Sequence, residues 1–206
     1  MDERGTGRPK TSDDIVPDGG LGVGPVVRAP LSRIVAWVVD WGCILVWVAI
    51  TAAVGVPLFL AGVTDALGTV TLNLVAAAVV ILPVTFWLAR LESGARQATP
   101  GKRLRGLVVV TAADGSRAGF GRALLRNTLK IAVPWLIGHA AVYAIVETGD
   151  SGAVPIGVWV LTGASYVLPI GYLASLFVGT GRTPYDRLSG TAVIGRTRSA
   201  MTGAAA

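Results

Sequence analysis

Four long apolar stretches, about 31–53, 67–91, 128–146 and 154–179, dominate the chain. Each can supply the roughly 20 apolar residues needed to cross about 30 Å of hydrocarbon as a helix. The pattern therefore predicts an all-α membrane fold, a four-transmembrane-helix bundle. Helix 1 should begin at Pro30-Leu31-Ser32, with Ser32 or Pro30 serving the first turn. Pro83 and Pro169 fall inside helices 2 and 4 and predict kinks there. Gly171, Ser175 and Gly179 recur every fourth residue, a spacing that lets another helix come close.

Between helices 2 and 3 the pattern changes. Leu107-Val108-Val109-Val110-Thr111 is a β-branched run followed by Asp114-Gly115, a turn signal. Thr191-Ala192-Val193-Ile194 is a second short strand. The two are expected to pair as a small two-stranded β element, with Val109 and Val193 on facing strands. Phe120, Leu124 and Leu125, set among Arg117, Arg122 and Arg126, suit a short interfacial helix whose basic face lies on lipid headgroups. Residues 1–29, rich in Gly, Pro and mixed charge, read as a disordered tail, as do 197–206.

Charge orients this arrangement. None of the 18 Lys and Arg residues lies in 54–66 or 147–153; all sit in the tails or the 90–130 connection, counting those just inside helix ends. Basic residues flanking membrane helices stay in the cytoplasm. Both termini, the β element and the interfacial helix are thus expected there. Charged residues make up 15% of the chain, against about 25% in soluble domains. The four spans leave room for one membrane domain, 30–196, and little else. The net charge of +6 suits anionic lipid headgroups at the rim, and no motif points to nucleic acid. Fifteen arginines against three lysines, with abundant Ala, Gly and Val, suggest a GC-rich bacterial genome. The first apolar stretch follows about 30 polar residues and is too long for a cleavable signal core, so it should act as an uncleaved signal-anchor. Cys43, the single cysteine, reads as a small core residue.

Arg33 and Asp40 are the first candidates for chemistry. Seven residues advance about 10.5 Å along a helix and return nearly to the same face. Asp40 therefore lies two turns deeper than Arg33, with Trp37 on the same stripe. An intramembrane carboxylate costs about 2.5–3.5 kcal/mol on insertion scales, so it should face the bundle and find a partner. Arg33 can reach for the interface or bend toward Asp40. The pair is either an ion or proton site or a polar lock between helices. His139, the lone histidine, could handle protons or hydrogen-bond a neighbouring helix. Asn73 reads as a helix–helix hydrogen bond; Tyr143, Tyr166 and several tryptophans read as packing or interfacial anchors. Thr99-Pro100-Gly101-Lys102 lacks the spacing of a phosphate loop, and Arg103 stands where Ser or Thr would hold magnesium. No catalytic set, metal cluster or cofactor motif can be assembled, so an enzyme is not expected.

Four ordered segments resemble the RDD family of small bacterial membrane proteins, named for one arginine and two aspartates. They are Ser32-Arg33-Ile34 through Asp40, Thr99-Pro100-Gly101-Lys102 through Val110, Gly115-Ser116-Arg117 through Arg126, and Tyr185-Asp186-Arg187 through Val193. The resemblance spans about 30–196. It assigns the arginine to Arg33 and the aspartates to Asp40 and Asp186. It implies an integral membrane domain with a suspected role in transport; helix number varies in the family. Asp186 could also cap the turn before the second strand. Arg33, Lys102 and Asp186 could meet at the cytoplasmic rim. The expected function is a small transporter, cation/proton exchange or an unknown ligand, acting as a homo-oligomer. The alternative is a non-transporting accessory or scaffold subunit of a larger membrane complex, docked through helix 4 and the basic face.

Overall fold

The computed structural model describes residues 29–148 and 153–196; the expected tails 1–29, but for Ala29, and 197–206 lie outside the described residues. Among the described residues, four helices are long and apolar enough to cross a membrane: Pro30–Leu60, Val70–Ser93, Phe120–Val146 and Ile156–Ala174. The first is α1 (Pro30–Leu60). The second joins α2 (Thr69–Ala76) to α3 (Leu82–Ser93) through a π turn, Ala77–Ile81. The third joins α5 (Phe120–Asn127) to α6 (Val133–Thr148) through another, Thr128–Ala132. The fourth is α7 (Ile156–Ala174). Short helices α4 (Pro100–Leu104) and α8 (Pro184–Leu188) flank the strands β1 (Leu107–Thr111) and β2 (Thr191–Gly195).

Both π turns end just before a proline, Pro83 and Pro134. Proline has no N–H to donate and its ring crowds the preceding turn, so the helix widens locally. The freed carbonyls cannot find water in hydrocarbon and need other donors. The Trp47 indole N–H donates to Val79 O at 3.2 Å, four residues before Pro83. The Tyr172 hydroxyl donates to Leu129 O at 3.0 Å, five residues before Pro134. Each proline thus ties its helix to a neighbouring one.

Ile44, Ile81, Val84, Leu88, Ile131 and Ala132 form the core between the first three spans. Many large apolar residues face outward, among them Val46, Ile50, Val70 and Ile170. Such a surface is a liability in water and the ordinary lipid face of a membrane helix. Strands β1 and β2 pair antiparallel with Val109 opposite Val193. Their inner face, Leu107, Val109 and Val193, packs with Ala36 and Ala118, which seats the sheet under α1. Both ends of the described chain therefore meet at one end of the bundle.

Three expectations change. The segment 120–127 is helical and amphipathic but continues unbroken into the third span, and its Arg126 is buried rather than laid on headgroups. Arg126 and Asn127 turn inward because Glu92 and Asp186 wait there, while Arg117 and Arg122 stay exposed as expected. A Cβ on Gly171 would meet nothing within 4 Å, and α7 ends before Ser175, so the small-residue stripe receives no helix among the described residues. Cys43 is exposed, because α1 turns Ile44 and Asp40 inward and leaves Cys43 on the lipid side.

Candidate functional site

The close approach in this bundle belongs to α4. A Cβ on Gly101 would lie 2.0 Å from Ala36 O, so only glycine lets the α4 backbone rest on α1. That contact delivers the start of α4 to Asp40. Asp40 Oδ1 accepts from the Gly101 amide at 2.9 Å, and Oδ2 accepts from the Thr99 hydroxyl at 2.6 Å. The segment that superficially resembles a phosphate loop thus wraps a carboxylate of its own chain. Lys102 sends its ammonium 3.9 Å from Asp40 Oδ2 and donates to Glu92 Oε1 at 2.7 Å.

Glu92, in the last turn of α3, extends the network. Its Oε1 also accepts from Arg126 Nη1 at 2.6 Å, and its Oε2 from Asn127 Nδ2 at 2.8 Å. Arg126 turns its Nε to Asp186 Oδ1 at 2.8 Å and lies over the Tyr185 ring at 5.4 Å. Arg33 closes the chain, donating to Asp186 Oδ2 at 2.6 Å and to Gly181 O at 2.5 Å. Asp186 also completes a capping box with Thr183 at the start of α8. Three acids, Asp40, Glu92 and Asp186, therefore face three bases, Arg33, Lys102 and Arg126.

These groups are out of water. Glu92 and Asp186 are 0% exposed and Arg126 is 1% exposed. Bare buried charge is prohibitive, so each carries several hydrogen bonds. Burial alone would raise the Asp186 carboxyl, but Arg126 and Arg33 outweigh it and hold the group at about 2. Burial pulls the Lys102 ammonium down to about 8, with Glu92 opposing. Lys102 is thus the member of the network nearest to releasing a proton at physiological pH.

Above the network lies a cavity of about 470 Å³ between α1, the two π turns, α6 and α7. Arg33, Asp40, Lys102, Arg126, Lys130 and Tyr185 border it at its charged end. Trp37, Trp41 and Trp135 also line it.

Arg33, Asp40, Lys102 and Asp186 all belong to this one assembly. Arg33 pairs with Asp186 rather than with Asp40, because the turn after α7 brings Gly181 and Asp186 to the mouth of α1. His139 lies apart, stacked on Trp135 of its own helix with ring centroids 3.4 Å apart. Asn73 Oδ1 finds no donor among the described residues, so no interhelix bond forms there. Sequence reasoning missed Glu92, Asn127, Thr99 and Lys130 as site residues and misplaced Arg126. A signal existed for Glu92: it is an acid just inside the end of an apolar span, surrounded in sequence by the basic end.

A model of the RDD family matches residues 27–190. No curated protein and no solved structure gives a significant match.

Proposed function

The chain belongs to the RDD family, and from that premise we propose that it is a multi-pass inner-membrane protein of bacteria that exchanges a cation for a proton. One observation carries this. The Lys102 ammonium, drawn down to about 8, stands between Glu92 at 2.7 Å and Asp40 at 3.9 Å at the end of a cavity. A cation arriving beside these carboxylates competes with the ammonium. Lys102 then releases its proton, and the neutral amine leaves Asp40 and Glu92 to the cation. Return of a proton to Lys102 expels the cation. Net charge in the site stays constant through the cycle, which keeps both steps compatible with low dielectric. Nothing in this cycle asks the protein to break or form bonds in a substrate, so it is not an enzyme.

The basic end would face the cytoplasm, by the same retention of Lys and Arg that orients short loops. Anionic headgroups would surround it. Four spans make a narrow pathway, so a homo-oligomer is the expected working form.

The test is cation-driven proton movement in vesicles holding the purified protein and a pH-sensitive dye. Exchange should peak near pH 8, because below it the Lys102 ammonium blocks the carboxylates and above it no proton returns to expel the cation. Asp40→Asn and Lys102→Arg should fold yet lose the exchange. Equal flux in either variant sinks the mechanism. A second reading has its own support: every member of the network is already bonded within the chain, as a structural lock requires. If the wild type shows no flux, the protein is a non-transporting accessory or scaffold subunit, and pull-down in mild detergent should recover its complex.

A further inference from the structure

The cavity contains more donors than its own chain uses. Lys130, on the π turn before α6, borders it and makes no hydrogen bond or ion pair among the described residues. The three other bases bordering the cavity, Arg33, Lys102 and Arg126, are all committed to Asp186 and Glu92. The Trp41 indole N–H, on the opposing α1 wall, is buried without an acceptor among the described residues. The acids whose charge reaches Lys130 are Glu92, then Asp40 and Asp186. Their oxygens are already engaged: Glu92 by Lys102, Arg126 and Asn127, Asp40 by Gly101 and Thr99, Asp186 by Arg33 and Arg126. An ammonium and an N–H left over in an apolar chamber call for an acceptor carrying one negative charge.

The rest of the wall defines the other half of the ligand. Ile44, Val48, Val80, Ile131 and Val142 offer no polar atom beyond the backbone. About 470 Å³ falls within the roughly 300–1,000 Å³ typical of small-molecule sites. We propose that this cavity binds a single-chain amphipathic carboxylate of the fatty-acid type, its head on Lys130 and Trp41 and its chain along α1 and α6. A phosphate monoester would bring a second charge, for which no further uncommitted base borders the cavity among the described residues. The site is independent of cation exchange: binding needs no transport, and exchange needs no fatty acid.

Full-length protein in zwitterionic lipid nanodiscs should be titrated with 12-bromododecanoate, a contact quencher of tryptophan fluorescence. Trp37, Trp41 and Trp135 line the cavity, so a saturable quenching component should appear above the linear one from bilayer partition. Lys130→Gln should weaken it about tenfold or more, the scale of losing a charge-assisted hydrogen bond. Lys130→Arg should retain it. Bromododecanol, with the same chain and no charge, should give the linear component alone. Equal saturation by the alcohol, or unchanged affinity in folded Lys130→Gln, overturns the proposal. So does purely linear quenching by the carboxylate. Competition by inorganic phosphate or acetate at equal concentration also overturns it, since the apolar wall would then contribute nothing. The alcohol comparison uses wild type alone and holds even if a variant misfolds. Binding without flux would leave this site standing while ending the exchange mechanism; flux without binding would do the reverse.

Discussion

Asp186 accepts from Arg33 and Arg126 at once while completing the cap of α8. Its folded value near 2 lies below the ordinary 3.8. A carboxyl depressed by folding contributes stability that is complete above the ordinary value and lost as pH falls through the folded one. The melting temperature, followed by circular dichroism in detergent, should therefore drop between pH 4 and pH 2. Asp186→Asn should lower it already at neutral pH, with a loss of about 3–5 kcal/mol of stability, since the buried Arg126 and the half-buried Arg33 lose a charge partner. The variant should also show a smaller acid step. Parallel acid curves for variant and wild type would assign that step to another carboxyl.

At the scale of elements, α4 matters more than its five residues suggest. Its seat on α1 exists because residue 101 has no side chain. Gly101→Ala should push α4 away from α1, breaking both hydrogen bonds to Asp40, with a loss of at least the roughly 1–3 kcal/mol typical of overpacking. Gly121→Ala is the contrast: that position is exposed on α5 with nothing within 4 Å. It should be neutral or stabilise slightly, as alanine favours helix by about 0.5–1 kcal/mol. Thermal unfolding of both variants checks the pair; a Gly101→Ala protein as stable as wild type would mean that α4 does not rest there. The composite spans follow the same logic. Each proline opens a π turn, and Trp47 or Tyr172 from another helix satisfies the carbonyl it frees.

For the whole molecule, charge and connectivity agree. The ion pair between Arg33 and Asp186 spans 153 residues of sequence and joins the two ends of the described chain. The basic sheet end and the Lys- and Arg-free 54–66 connection therefore lie at opposite ends of the bundle. A reporter fused after Ala206 or inserted at 112–116 should read as cytoplasmic, and one at 60–65 as outside. A periplasmic signal at the C-terminus would contradict the positive-inside assignment.

Legibility followed the range of the interactions. Four spans were readable because hydrocarbon thickness imposes length and apolarity on each segment separately. The strand pair was readable because β-branched runs and the Asp114-Gly115 turn are local signals, and Val109 does face Val193. Arg33, Asp40, Lys102 and Asp186 stood out since charge near hydrocarbon needs a reason. Pairing was another matter. An arginine does not announce its partner, so Arg33 with Asp186, Arg126 turned inward, and Glu92 at the centre depend on which helices adjoin. Cys43 and the Gly171 stripe failed for the same reason: periodicity gives a face, not what that face meets. The chain by itself determined a four-span membrane protein of the RDD type, with a small sheet and its charge at one end. Only the tertiary structure decided which charges are answered within the chain, and that Lys130 and Trp41 are left facing a cavity, because burial and partnership are properties of neighbours distant in sequence.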